Sequence, residues 1–335
     1  MKSILITGGA GFIGSNFIHH ALENHPEWSL VNFDALTYAG NLENLKDVAT
    51  HPQYQFVHGD ICDQETVNST LQKFSIDTIV HFAAESHVDR SILGPAVFVK
   101  TNVLGSQILL DAARAHAIER FVHVSTDEVY GSLGPTGKFT ENTPLHANSP
   151  YSASKAGSDL LALAYYHTFG LPVVVTRCSN NYGPYQFPEK MIPLMITNAL
   201  NDKPLPVYGN GLNVRDWLHV SDHCTGIDAV LHRGRVGEVY NIGGENEWKN
   251  IDIVRLILER LGKSESLITY VKDRPGHDQR YAIDAAKIRS ELGWKPQQTF
   301  EKAIDSTIEW YKKHVSWWKR VMTGEYLKYY AKQYS

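Results

Sequence analysis

Asp127 and Glu128 are adjacent, and they stand between a glycine-rich loop and a Tyr-x-x-x-Lys pair. The acids lie in Val124-Ser125-Thr126-Asp127-Glu128-Val129-Tyr130-Gly131, and Tyr151-Ser152-Ala153-Ser154-Lys155 follows about twenty residues later. A tyrosine four positions before a lysine shares one helix face with it. A nearby ammonium favours tyrosinate, which makes Tyr151 a base for an alcohol proton. Hydride transfer needs such a base, a nicotinamide and a hydroxyl to hold the substrate. It gives a second acid/base couple no task. Two neighbouring carboxyls repel, so one should keep its proton, leaving one acid and one base. The pair therefore suggests an oxidation that serves a further reaction, most economically elimination of water.

The nicotinamide has its own signature. Gly8-Gly9-Ala10-Gly11-Phe12-Ile13-Gly14 follows a short apolar run and opens a helical pattern, with the spacing G-x-x-G-x-x-G. Gly8 permits a tight turn, Gly11 lets backbone approach a pyrophosphate, and Gly14 lets helix and strand pack closely. The helix N-terminus, at Phe12 and Ile13, stabilises phosphate charge. Asp34 closes the next apolar run. A carboxylate there can accept from both ribose hydroxyls and repels a 2′-phosphate, so NAD is expected over NADP. Asp60-Ile61, after the third run, can border the adenine.

These residues need a frame that gathers strand ends. Apolar runs at 4–7, 30–33, 55–58, 78–84, 121–125 and 173–176 read as strands. Helical patterns fill the gaps: one up to about 22, one at 63–74 capped by Asp63, one at 95–116 led by Pro95, and one at 151–169. The alternation predicts an α/β fold with a doubly wound parallel sheet of the Rossmann type. Ligands of such sheets bind beyond the carboxyl ends of the strands. Asp34, Asp60, Glu85, Thr126-Asp127-Glu128 and Asn180-Asn181 all fall there, so one crevice should collect them. Beyond 178 the alternation breaks, and Pro, Gly and aromatic residues crowd 180–193 and 204–217. The expected division is a cofactor domain at 1–178 and a smaller mixed α/β substrate domain over most of 179–335. The two interleave, with returns to the main sheet near 217–220 and 239–242. Trp317, Trp318, Tyr326, Tyr329, Tyr330 and Tyr334 lie among lysines near the end and read as an amphipathic helix packed on the body.

Bulk properties exclude several classes. With 32 basic and 36 acidic residues the net charge is −4, against nucleic acid or an anionic membrane surface as the main partner. No segment approaches the ~20 apolar residues of a membrane span. The first apolar run is too short for a signal peptide, so a cytoplasmic protein is expected. Cys62, Cys178 and Cys224 form no C-x-x-C and read as buried small hydrophobes in a reducing compartment. No His/Asp/Glu spacing suggests a metal, and a nicotinamide supplies the electron sink without one.

Six segments together resemble one family. They are Thr7-Gly8-Gly9-Ala10-Gly11-Phe12-Ile13-Gly14-Ser15, Leu36-Thr37-Tyr38-Ala39-Gly40-Asn41, Ala83-Ala84-Glu85-Ser86-His87-Val88-Asp89-Arg90-Ser91, Ser125-Thr126-Asp127-Glu128-Val129-Tyr130-Gly131, Ser179-Asn180-Asn181-Tyr182-Gly183-Pro184-Tyr185 and Asp273-Arg274-Pro275-Gly276-His277. The chain resembles, from residue 1 to about 312, the dTDP-glucose 4,6-dehydratases, extended short-chain dehydrogenases/reductases. The resemblance implies the following roles. Tyr151 takes the proton of the glucose 4-hydroxyl as C4 is oxidised, with Lys155 on the nicotinamide ribose. Thr126 holds the 4-oxygen, Glu128 removes the C5 proton, and Asp127 protonates the departing 6-hydroxyl. Leu36, Thr37, Ala83, Ala84, Glu85, Thr101 and Asn181 contact the cofactor. Arg215 and Arg274 bind the diphosphate, because guanidinium forks fit phosphate. Ser86, His87, Asn180, Lys190, Met191, Asn250, Asp273 and His277 contact substrate, and Pro206-Val207-Tyr208 lines the base. A homodimer is also implied, with helices 95–116 and 151–169 forming a C2 four-helix bundle.

Two other functions compete. A sugar-nucleotide 4-epimerase of the same fold needs only Tyr151 and hydride return to the opposite face, which leaves Asp127-Glu128 idle. An NAD-binding regulator without turnover would be indifferent to Tyr151→Phe. The substrate base is less constrained: a methyl in an apolar slot is worth only ~1–3 kcal/mol. UDP- or CDP-glucose stands as the alternative to dTDP-glucose, which the motifs favour.

Overall fold

The structure, a computed structural model, describes residues 2–273 and 275–322. Its main sheet has seven strands in the order β10-β6-β5-β4-β1-β2-β3. These are β1 (Ser3–Thr7), β2 (Ser29–Asp34), β3 (Tyr54–His58), β4 (Thr78–His81), β5 (Arg120–Thr126), β6 (Val173–Cys178) and β10 (Val239–Ile242). Every neighbouring pair is parallel. Parallel strands are covered on both faces, which is why their sequences are continuous apolar runs.

Alternate residues feed two cores. Ile4, Ile6, Leu30, Val80, Val122, Val124 and Val174 face one cluster, with Phe17 and Ala21 of α1 (Phe12–Asn24) and Cys224, Ile227 and Val230 of a later helix, Val220–Arg233. Leu5, Val31, Phe33, Ile79, Phe121, Val173 and Val175 face the other. There they meet α2 (Gln64–Lys73), then, past α3 (Val88–Leu93) and α4 (Pro95–Phe98), α5 (Ser106–Ala115) and α6 (Pro150–Phe169). The period of two in a strand thus decides which helix layer each side chain meets. Asp63 caps α2 by accepting from the Glu65 and Thr66 amides, as expected. Ser149 caps α6, and Gly170 ends it with φ of 72°.

The remaining elements build a second lobe. β7 (Asn180–Tyr182), β9 (Val214–His219) and β11 (Glu247–Lys249) form one small sheet. β8 (Leu205–Tyr208) and β12 (Ile268–Val271) pair in parallel. Around them pack α7 (Met191–Leu200), α9 (Asn250–Leu261), α11 (Phe300–Lys313) and α12 (Val315–Val321), over a third core that includes Ile192, Trp217, Ile257 and Phe300. The helix Val220–Arg233 is α8, and α10 spans Ala286–Leu292.

Several expectations change. The strand expected at 78–84 stops at His81. Its ladder partner β1 stops at Thr7, and Gly8 turns away with φ of 70°. The helix expected at 95–116 contains a π-helical stretch, Val99–Gly105, between α4 and α5. Of the two expected returns, 239–242 joins the main sheet as β10, but 217–220 does not: Trp217 to His219 belong to β9, paired with β7 and β11. Cys178 and Cys224 are buried, whereas Cys62 is only partly so. Trp317 and Trp318 pack into the second-lobe core. Tyr326, Tyr329, Tyr330 and Tyr334 lie outside the described residues. Among the described residues no helix is long and apolar enough to cross a membrane.

Candidate active site

Strand order reverses between β1 and β4, and the loops that leave these two strands part there. They are close: a Cβ on Gly8 would lie 2.7 Å from the Ala83 Cα, and one on Gly14 only 2.3 Å from the Gly8 carbonyl oxygen. The turn therefore needs glycine at both positions. α1 begins after Gly11 with no side-chain cap, so its first amides face the loop.

A cavity of about 310 Å³ opens at this point. It is lined by Gly8, Gly11, Phe12, Ile13, Gly14, Asp34, Thr37, Asp60, Ile61, Ala83, Ala84, Glu85, Ser86, Thr101, Thr126, Asp127, Glu128, Tyr151, Lys155, Asn180, Asn181 and Lys190, among others. The strand-end residues that the sequence assigned to one crevice do share one. Thr101 reaches it from the π-helical stretch. One residue later Asn102 accepts from the Glu85 amide and donates to the Glu85 carbonyl and to Ser154, which clamps the β4 loop to α6. Such π turns recur at functional sites. Leu36 is not in the lining; its amide donates to Asp34 Oδ1, while the Ala10 amide donates to Oδ2. Asp34 thus ties the glycine loop to β2, and each oxygen retains a second lone pair for a ribose hydroxyl. Asp60 likewise both lines the cleft and accepts from the Cys62 amide.

A second cavity of about 160 Å³ continues from the first and shares Glu128, Asn180, Asn181 and Lys190 with it. His87, Met191, Pro206, Val207, Tyr208, Arg215, Asn250 and His277 line it. Lys190 Nζ donates to the Ser86 carbonyl and so spans the two. Arg215 is buried, stacks on the Tyr281 ring at 4.3 Å and donates to the carbonyls of Val214 and Asp278. Asp273 is absent from both linings and accepts from His277 Nδ1 at 2.6 Å. Arg274 lies outside the described residues. Asn180 Oδ1 and Asn250 Oδ1 are buried and without a hydrogen-bond partner among the described residues. Orphaned acceptors in a cleft suit a polar ligand.

Asp127 and Glu128 begin a 3-10 turn at the end of β5, where the Thr126 hydroxyl accepts from the Glu128 amide. Asp127 is almost fully buried, and its Oδ2 has no hydrogen-bond partner among the described residues. Burial first, then Glu128 and Asp216, push its carboxyl well above the usual carboxylate range, against the opposing charge of Arg215. The two adjacent carboxyls of the cleft are therefore unequal: Asp127 is biased towards its neutral form, by burial before the repulsion that adjacency suggested. Asp216 sits behind, accepting from Ser179 at 2.7 Å and from the Gly244 and Asn246 amides.

Tyr151 and Lys155 lie on the cleft face of α6, and Lys155 Nζ donates to the Val124 carbonyl at 2.9 Å. The Tyr151 phenol is pushed well above its ordinary value by burial, then by Glu128. Burial also lowers Lys155 itself. A side-chain hydrogen bond with Thr126 works the other way on the Tyr151 phenol, lowering it.

Sequence reasoning missed Asp89, Gln186, Glu189, Trp217 and Val254 in these walls. Glu189 is the most consequential, buried beside Arg90 Nε at 3.4 Å and His87 Nε2 at 4.0 Å. A Glu-Lys dipeptide in a Pro-rich loop carries no local sign of burial.

Residues 5–307 match the family described as GDP-mannose 4,6 dehydratase. The chain is 55% identical over 344 residues to a dTDP-glucose 4,6-dehydratase of Xanthomonas campestris pv. campestris (strain B100), covering 97% of each chain. Among solved structures it is similar to a dTDP-glucose 4,6-dehydratase from Bacillus anthracis str. Ames in complex with NAD. The TM-score is 0.90 at 55% identity, over 96% of this chain and 100% of that one. A Thermus thermophilus UDP-glucose 4-epimerase in complex with NAD shares the fold, with TM-score 0.87, but only 27% identity, over 93% of this chain and 99% of that one.

Proposed function

This chain belongs to the dTDP-glucose 4,6-dehydratase family, and from that premise we propose how its residues divide the work. It is a hydro-lyase that uses NAD to convert dTDP-glucose to the 4-keto-6-deoxy sugar nucleotide. The observation that carries the reading is the buried Asp127 next to Glu128 in the cleft that also holds Tyr151, with burial raising its carboxyl. An epimerase would have no use for that couple.

NAD fits the first cavity on the bare helix start after Gly11, the Gly8–Gly14 packing and the position of Asp34. Bound there, it supplies a hydride acceptor and donor. The chain's own groups move the protons. Tyr151 takes the proton of the 4-hydroxyl, and Thr126, within reach of it, holds the 4-oxygen. The ketone at C4 acidifies the C5 hydrogen, which Glu128 removes. Asp127 gives its proton to the 6-hydroxyl, which leaves as water. Arg215, with Arg274, Lys190 and Asn180, receives the diphosphate end, and Pro206, Val207 and Tyr208 border the base. Residues 1–178 with β10 hold the cofactor, and most of the rest holds the nucleotide sugar.

With deuterium at C4 of dTDP-glucose, the label is expected on the C6 methyl of the product; its loss to solvent would sink the scheme. Ketosugar yields from dTDP-, UDP- and CDP-glucose, compared in alkali, test the base.

Gly14→Ala places a methyl 2.3 Å from backbone. Overpacking of this kind costs about 1–3 kcal/mol. NAD affinity should fall roughly ten- to hundredfold by calorimetric titration, and unchanged affinity would remove the loop from the cofactor site.

The enzyme is a homodimer built on α4, α5 and α6. Support comes from apolar side chains left exposed along this face: Leu104 at 46%, in the π-helical stretch between α4 and α5, and Leu160 at 59% and Phe169 at 48% on α6. A Leu104→Glu, Leu160→Glu double variant should run as a monomer in light scattering at a concentration where the unmodified chain is dimeric; a variant that stays dimeric would place the interface elsewhere. A cytoplasmic location suits Cys178 and Cys224, held buried as thiols.

A further inference from the structure

Away from the cleft, three imidazoles gather on one carboxylate where the end of α1 meets α8. Asp228 Oδ1 lies 2.9 Å from His25 Nε2, and Oδ2 lies 3.5 Å from His20 Nε2. One donor atom from each of His20, His25 and Asp228 falls within 4.8 Å of the other two. His20 Nε2 is buried and finds no good hydrogen bond among the described residues. We propose that His20, His25 and Asp228 form a site for a divalent transition ion of the zinc class, with a water completing a tetrahedron.

The donors suit such an ion: neutral imidazole nitrogen and carboxylate oxygen at ~2.0–2.2 Å are ordinary zinc ligands. Two ligands at that distance on a tetrahedron stand roughly 3.3–3.5 Å apart; the three donors now lie within 4.8 Å of one another, and the two imidazoles face different oxygens of Asp228, so the groups must close in around the ion. The His25 ring is fixed before any ion arrives, stacked on Trp28 at 3.7 Å and flanked by His232 at 5.0 Å. Glu27 Oε1 stands 3.9 Å from His25 Nδ1, on the side where an outer carboxylate orients a metal-bound imidazole. His232 Nδ1 is 2.9 Å from the Asp228 carbonyl, which makes that ring a neighbour, not a ligand. Coordination through His20 Nε2 leaves the ring proton on Nδ1, where the Asn24 amide now donates at 3.3 Å; that carboxamide must turn. Spacing along the chain gave no hint of the site, because His25 and Asp228 are 203 positions apart. The ion would clip α1, whose other end meets the glycine loop, to α8.

The test uses untagged full-length protein stripped with chelator. Titration with zinc chloride by calorimetry should show one equivalent, and cobalt chloride should give the intense visible bands of a tetrahedral nitrogen/oxygen site. His20→Gln and Asp228→Asn should each weaken zinc binding by more than about a hundredfold, beyond the ~10–100-fold that loss of an outer-shell partner costs. His232→Gln should change it less than about tenfold. His20→Gln decides alone if Asp228→Asn does not fold. Absence of binding at micromolar zinc, or binding unchanged in His20→Gln, overturns the proposal.

Discussion

Glu128→Gln should lower steady-state ketosugar formation by about 10²–10⁴-fold, the usual contribution of a positioned general base. Its signature lies in what survives. In the proposed scheme, removal of the 4-hydroxyl proton rests on Tyr151 and Thr126, and the substitution leaves both in place. The Glu128 amide that bonds Thr126 belongs to the backbone and is unaffected. Glutamine also relieves Tyr151 of the carboxylate charge that raises its phenol most. Addition of dTDP-glucose should therefore still reduce the bound cofactor, seen as near-ultraviolet absorbance, but the reduced form should persist because C5 keeps its hydrogen. Asp127→Asn should behave as a graded version, with C4 oxidation intact and elimination slowed for want of a proton donor. If Glu128→Gln turns over normally, the base lies elsewhere. If it abolishes the initial oxidation, the residue orients Tyr151 and is not the C5 base.

The frame of this site was legible because parallel strands bury both faces, and runs such as Ile4-Leu5-Ile6 and Val173-Val174-Val175 leave no other reading. The errors fall where local pattern and tertiary pairing part. Phe82-Ala83-Ala84 is apolar enough to extend β4, yet no partner runs beside it once β1 has turned at Gly8. Trp217-Leu218 looks like a main-sheet strand, but its ladder partners are Asn180 and Asn181. Nothing in Val-Lys-Thr-Asn-Val-Leu-Gly announces a π-helical stretch. The residues proposed for catalysis could be assigned to one cleft because they cluster at strand ends or at fixed helical spacing. The walls of the second cavity were not, since Glu189, Trp217 and Val254 meet only after three separate elements pack.

The same limit hid a buried ion pair beneath the catalytic helix, and it carries the largest expected stability effect. Tyr151, Lys155 and Asp159 recur every fourth residue on α6, and Asp159 is fully buried. Arg177 Nε on β6 donates to its Oδ2 at 2.8 Å, and His123 Nε2 on β5 stands 3.3 Å from Oδ1. Arg177 also donates to the Tyr130 hydroxyl, which donates on to Asn241 of β10. Burial works to raise the Asp159 carboxyl, but His123 and Arg177 prevail and hold it down to about 2. Asp159→Asn would leave the guanidinium buried without its counter-charge, a loss on the order of 3–5 kcal/mol. The pH dependence gives the sign. A carboxyl depressed on folding stabilises above its unfolded value of about 3.9, and that contribution fades only as pH falls from there towards the folded value. The gap in unfolding free energy between the unmodified chain and Asp159→Asn, from urea denaturation, should thus be flat between pH 8 and 5. It should narrow only below about pH 4. A gap that closes between pH 7 and 5 would mean that His123, not the carboxylate, governs the pair. No gap at all would mean that Arg177 finds its counter-charge elsewhere, and α6 would then keep Tyr151 and Lys155 in register without help from below.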